Sequence, residues 1–206
     1  MQKIDLFEAI NTLRSIRKFK PLPVEDEKIK IILELAIKAP NASMIEPWHF
    51  IVVRDQETKR KFTPLYSRAF QLYQGERREI TEEVKKRLER AKHFAENIHE
   101  VPVMIFVFMD PTRRAVKEGF LDKEMEVALY GSVFPAIQNM MLAARGLGLG
   151  SVLTTLLNMF EEDVKKILHV PSYIRLVAMV GIGYPEVKFS SPRRSPLEKF
   201  LHWEKW

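Results

Sequence analysis

The chain runs to 206 residues, carries 33 Lys and Arg against 27 Asp and Glu, and contains no cysteine. That length fits one domain of about 100–200 residues, and 46% hydrophobic residues with 13 Phe and 9 Met argue for a folded core rather than disorder. The missing thiols exclude disulfides, Fe–S clusters, thiolate zinc sites and cysteine nucleophiles, while the net charge of +6 leaves an anionic partner open, nucleic acid or small ligand.

The opening residues, MQKIDLFEAI, are charged early and lack an apolar stretch, so no signal peptide is expected. The longest apolar run, Val101–Met109, is nine residues, short of the roughly 20 a membrane-spanning helix needs. A cytoplasmic protein is the expectation. Asp5–Leu13 reads as a helix, followed by an extended piece, Ser15–Phe19, and a Pro21/Pro23 turn. Glu25–Lys38 is the clearest amphipathic helix, with Ile29, Ile32, Leu33, Ala36 and Ile37 on one stripe, acidic residues in its first turn and Pro40 ending it. Trp48–Arg54 alternates and reads as a strand.

Residues 56–98 read as mostly helical. Between Glu76 and Lys92 seven basic and five acidic residues are interspersed, the pattern of a solvated helix face rather than a nucleic-acid stripe. Val103–Met109 is continuously apolar and β-prone, hence a buried strand. Glu124–Arg145 reads as a long helix, Ser151–Thr155 and Ile174–Gly181 as strands, and 161–168 as a helix between them. The whole predicts an α+β domain with helices around a modest sheet. The tail from Pro185 ends in Phe200, Trp203 and Trp206, and should pack on its own domain or on a second subunit.

Generic motifs carry little. Gly146-Leu-Gly148-Leu-Gly150 has the wrong order for dinucleotide binding, because its glycines close a helix and precede a strand. A helix stop followed by a tight turn is the simpler reading. The five His show no metal-ligand spacing, and Gly-x-Ser-x-Gly is absent.

Four separated segments say more. They are Arg14-Ser15-Ile16-Arg17-Lys18-Phe19; Ala39-Pro40-Asn41 running through Glu46-Pro47-Trp48 into a strand; Ala136–Ala144 with the three glycines and Leu153-Thr154-Thr155; and Gly181-Ile182-Gly183-Tyr184-Pro185 with the distal Arg193-Arg194. Together, and in this order, they resemble the nitroreductase-like family of FMN-dependent oxidoreductases. The resemblance implies an α+β nitroreductase-like fold over residues 1–206, with a central, mostly antiparallel sheet flanked by helices and an interleaved homodimer. Residues 67–98 would form a variable helical lid and 186–206 a C-terminal tail.

By the same resemblance, Arg14 reaches the FMN phosphate, Ser15 and Arg17 the pyrimidine edge of the flavin, and Arg194, with Arg193 in reserve, a second side of the phosphate. Guanidinium forks suit phosphate oxygens, and a fixed cation favours the edge that gains negative charge on reduction. In an extended segment Ser15 and Arg17 share a face, and Arg14 points away unless the backbone turns. Asn41, Leu153, Thr154 and Thr155 complete the implied cofactor set, the two threonines lying by flavin N5, where a hydroxyl donor would favour one-electron steps. No side chain is required as a nucleophile.

Glu46-Pro47-Trp48 and the Thr154-Thr155 pair are similar to the iodotyrosine deiodinase branch. That branch clamps its substrate with a Glu, a Tyr and a Lys, positions that hold Phe70, Gln74 and Ala95 here, so deiodination does not carry over. The lid instead offers Phe70, Tyr73 and Phe94 for stacking on an aromatic substrate. The implied function is reduction of a small aromatic, nitro or quinone-type acceptor by NADH or NADPH in ping-pong fashion. A flavin-fragmenting enzyme of the same fold and a non-catalytic FMN carrier are the alternatives. Residues 1–20 carry net charge +3 and residues 186–206 net +2, which fits two chain ends converging on an anionic cofactor better than a nucleic-acid surface. No metal, nucleic acid or membrane is expected as a partner.

Overall fold

Strand β2, Val103–Met109, is buried at every position, and the fold is built outward from it. A computed structural model of the protein describes residues 4–75, 81–113 and 122–206. In chain order these form α1 (Leu6–Thr12), α2 (Asp26–Ala36), β1 (Trp48–Val53), α3 (Gln56–Gln74), α4 (Glu82–Glu96), β2, α5 (Asp122–Gly146), β3 (Gly150–Thr154), α6 (Glu161–Leu168) and β4 (Arg175–Gly183). Residues 76–80 of the expected lid lie outside the described residues.

The four strands form one sheet in the order β1-β2-β4-β3, every neighbour pairing antiparallel. Because side chains alternate across a strand, β2 serves two cores. Val103, Ile105, Val107 and Met109 join α2 and α5, whereas Met104, Phe106 and Phe108 join α3, α4 and α6. Helices therefore cover both faces of the sheet, which explains a continuously apolar β2 without strand alternation.

The expected elements recur with shifts of a few residues at their ends. Strand β3 stops at Thr154 rather than Thr155, because the Leu156 N–H donates to Thr154 Oγ1 at 3.3 Å and turns the chain into a 3-10 segment, Leu156–Phe160. The window Met125–Gly146 of α5 has a mean hydropathy of 1.3 over a length able to cross a membrane. Its stripe of Val133, Ala136, Ile137, Met140 and Ala144 is instead buried in the core beneath the sheet.

The three glycines after α5 do the local work that the sequence predicts. Helix α5 ends at Gly146, and Gly148 takes a left-handed φ of +76°, cheap only for glycine. At Gly150 a Cβ would stand 2.9 Å from Ile16. That close approach lets the extended segment after α1 lie along β3, with a parallel bridge from Ser15 to Ser151 and the Ile16 N–H donating to the Ser151 carbonyl at 2.8 Å. A second bridge joins Phe19 to Pro185.

The expectation that the tail packs on its own domain is not met. Leu197, Phe200 and Trp203 are 65–76% exposed and Trp206 is fully exposed. The tail's few apolar residues, spaced by Pro and charge, find no groove among the described residues.

Candidate active site

Two clefts share Arg14 and Ser15 in their walls. The larger has a volume of about 1090 Å³, and its walls include Arg14, Ser15, Arg17, Phe70 and Tyr73. The smaller, about 460 Å³, is lined by Arg14 and Ser15 again, with Gln138, Met141, Pro192 and Arg194. The larger sits at the upper end of small-molecule sites, which run to roughly 1,000 Å³.

Local folding explains this convergence. Helix α1 is capped by Asp5, whose carboxylate accepts the Glu8 N–H at 2.9 Å, and it ends at Leu13 in an extended conformation. The backbone turns there, so Arg14 joins Ser15 and Arg17 on the cleft instead of facing away. Ile16 anchors the segment from beneath at 1% exposure. Arg14 is half-buried, and its Nη2 donates to the Lys188 carbonyl at 2.9 Å, tying the first chain end to the last. Its Nε is buried with no hydrogen-bond partner among the described residues, as is Ser151 Oγ. A buried guanidinium N–H without an acceptor costs free energy.

Other expected residues stand elsewhere. Asn41 Oδ1 accepts the Glu46 N–H at 2.9 Å and staples a tight loop in which Ser43, Met44 and Glu46 all have positive φ; it lines neither cleft. Leu153 packs against the core on the α2–α5 side, and exposed Thr155 caps the 3-10 segment, its carbonyl accepting the Asn158 N–H. Arg193 lines neither cleft, and its carbonyl accepts from Arg194 Nη1 at 2.9 Å, so Arg194 alone of the pair reaches the smaller cleft. Phe94 is buried and meets Tyr66 edge-on at 5.8 Å, a core contact rather than a stacking surface for substrate. Of the deiodinase-equivalent positions, Phe70 is on the cleft and Ala95 lies in the core at 1% exposure.

Thr154 has a partner that sequence reasoning missed. Its Oγ1 lies 3.0 Å from the Tyr66 hydroxyl, in a buried pair. Burial pushes the Tyr66 hydroxyl above its ordinary range, opposed in part by the Thr154 hydrogen bond and the positive charge of nearby Arg17, so Tyr66 keeps its proton near neutral pH. The pair holds two hydroxyl protons and one bridge between them, which leaves one proton free to donate elsewhere. Tyr66 follows Phe62 and precedes Phe70 at four-residue spacing on α3, a pattern that reads as core; nothing in it singles out the hydroxyl. Helix α4 adds Lys86, Arg90 and His93 to the larger cleft, residues that the sequence presents only as part of a mixed-charge helix.

The chain is similar to known proteins over most of its length. The family model described as the nitroreductase family matches residues 10–184. An NADH dehydrogenase of Thermus thermophilus is 31% identical over 204 residues, spanning 97% of this chain and 96% of that protein. An iodotyrosine deiodinase of Thermotoga neapolitana is 29% identical over 186 residues, 88% of each chain. Among solved structures, an FMN-dependent nitroreductase from Clostridium difficile R20291 shares the fold with a TM-score of 0.73 at 23% identity, covering 98% of this chain and all of the other. From its cleft-lining Arg-Ser-x-Arg segment to the match across residues 10–184, the chain belongs to the nitroreductase family.

Proposed function

We propose that this protein is an FMN-dependent oxidoreductase that takes reducing equivalents from NADH or NADPH and passes them to a small aromatic, nitro or quinone-type acceptor. The observation that carries this reading is the convergence of Arg14, Ser15 and Arg17 on the larger cleft, with Arg14 and Arg194 on the smaller. Two guanidinium groups suit a phosphate, and the larger volume suits a three-ring system, so the residues present fit FMN.

In this reading Arg14 and Arg194 hold the phosphate, while Ser15 and Arg17 meet the pyrimidine edge. When bound, FMN supplies reversible electron storage between donor and acceptor. Arg17 keeps a fixed positive charge where negative charge gathers on reduction. The Tyr66–Thr154 pair, buried behind the end of β3, would have one hydroxyl proton to donate to the flavin if the cofactor reached it. Phe70 and Tyr73 form an aromatic wall on which a flat acceptor stacks. One opening serves donor and acceptor in turn, which gives ping-pong kinetics. Residues 1–206 act as one FMN-binding unit in a cytoplasmic homodimer, whose second copy covers the exposed tail aromatics.

The visible spectrum of the purified protein is the first test, followed by NADH and NADPH oxidation with a nitroaromatic or a quinone. A yellow protein with donor-dependent turnover is expected. A colourless protein that fails to take up added FMN would overturn the reading. Loss of flavin with release of a benzimidazole would identify a flavin-fragmenting enzyme instead, and a yellow protein without turnover a carrier.

A further inference from the structure

Helix α4 presents two differently charged faces. On one, Lys85 pairs with Glu82 at 4.0 Å and Lys92 with Glu96 at 3.8 Å. On the other, Lys86, Arg90 and His93 fall at i, i+4 and i+7, a single stripe, and all three line the larger cleft. Among the described residues neither Lys86 nor Arg90 has an ion-pair partner, and Glu89 is the one acidic residue on the cleft wall. Arg14, Arg17 and Lys18 line the same cleft. With Arg14, Arg194 and Arg17 assigned to the cofactor, Lys86 and Arg90 remain on the cleft wall with Phe70 and Tyr73, two cations beside the single carboxylate of Glu89 among the described residues.

We infer that the substrate entering this cleft carries an anionic group, a carboxylate or phosphate, held by Lys86 and Arg90 while its aromatic part stacks on Phe70 and Tyr73. The inference rests on the FMN reading for the direction of the aromatic part, and on α4 alone for the charge. The anion could belong to the acceptor or to the 2′-phosphate that distinguishes NADPH from NADH. Both are the same chemistry to a Lys–Arg pair, and the cleft, open to solvent, concentrates either by its field.

The test is calorimetric binding to the protein as purified, at low salt and without reductant. One arm compares 4-nitrobenzoate with 4-nitrobenzamide, and the other compares 2′,5′-ADP with 5′-AMP. The wild-type protein should prefer the more anionic member of at least one pair by about tenfold, and added salt should erode that preference. The double variant Lys86→Gln/Arg90→Gln should abolish it while retaining the wild-type flavin absorbance. Preference in the first arm assigns the anion to the acceptor, and preference in the second assigns it to the donor. Equal binding in both pairs, a preference that the double variant keeps, or loss of flavin from that variant would each overturn the inference. A colourless wild-type protein that still prefers the anions would defeat the FMN reading and leave the anion site standing.

Discussion

At the scale of single residues, the larger cleft is edged by cations, and Arg14 Nε is buried without a hydrogen-bond partner among the described residues. Arg194 reaches the smaller cleft, and its role is testable in isolation. Arg194→Ala should weaken FMN retention by about 1.5–3 kcal/mol, the usual worth of a charge-assisted hydrogen bond; flavin release measured by fluorescence would show it, and unchanged affinity would remove Arg194 from the site. Tyr66→Phe removes one hydroxyl of the buried pair and leaves the Thr154 hydroxyl a single proton with no tyrosine to accept it. That change should shift the flavin reduction potential and the yield of one-electron-reduced protein in a photoreduction while leaving FMN content intact. Identical redox behaviour would place the pair outside the chemistry. Away from the site, Glu25 is held to a pKa of about 2 by its own backbone N–H, the Tyr184 hydroxyl and Lys28. Its carboxylate accepts from Tyr184 at 2.8 Å and from Lys28 at 3.0 Å, joining the start of α2 to the end of β4. Between an unfolded value near 4.5 and about 2, the unfolded chain binds more protons than the folded one. The Glu25 contribution to stability is therefore full above that window and lost as pH falls through it. Glu25→Gln should flatten the acid limb of a melting-temperature profile between pH 5 and pH 2, as calorimetry across that range would record.

At the scale of elements, the segment from Arg14 to Phe19 is positioned by what lies under it. Gly150 leaves space for Ile16, and a Cβ there would meet three Ile16 carbons at 2.9–3.1 Å. Gly150→Ala should push the Ser15–Ser151 bridge apart, destabilise the fold by about 1–3 kcal/mol as overpacking does, and lower FMN content along with it. Retained FMN with an unchanged melting temperature would show that this contact does not seat the segment. Much of the scaffold was legible in advance because its signals are local. The apolar stripe of α2, the unbroken run of β2 and the glycine stop after α5 each follow from spacing and composition. Arg14, Ser15 and Arg17, singled out by a contiguous motif, line the larger cleft, and Arg194, singled out by its place in the tail, lines the smaller. What escaped depends on pairings across the chain. Tyr66 gains its meaning from Thr154, 88 positions away, and Lys86 and Arg90 from a cleft formed by α3, α4 and the extended segment after α1 together. Asn41 matched a motif, but its side chain closes its own loop, a local alternative that side-chain amides readily take.

At the scale of the whole molecule, one chain leaves large apolar side chains exposed at both of its ends. The tail exposes Leu197, Phe200, Trp203 and Trp206, and α1 exposes Leu6, Phe7 and Ile10. Large contiguous apolar patches are rare on the surface of a monomer and mark interaction sites. Arg145 shows how the chain ends are gathered: its guanidinium is buried, donates to Thr12 Oγ1 at 2.9 Å, pairs with Glu8 at 3.3 Å and lies 3.9 Å from the Phe189 ring. That clamp holds α1 and the start of the tail against the end of α5, so the tail leaves the domain from a fixed point and carries Arg194 past the smaller cleft before its aromatics reach solvent. A homodimer that buries those aromatics would therefore also steady Arg194 beside the smaller cleft. The double variant Phe200→Ser/Trp203→Ser tests the link. If the aromatics are buried between copies, removing two of them forfeits about 1.5–3 kcal/mol each. Sedimentation equilibrium should then show dissociation constants at least a hundredfold weaker than the wild-type value, with faster FMN loss on dilution. A wild-type monomer would refute the homodimer. A dimer unchanged by both substitutions would move the interface away from the tail, and FMN loss without dissociation would make the tail a cofactor strap within one subunit.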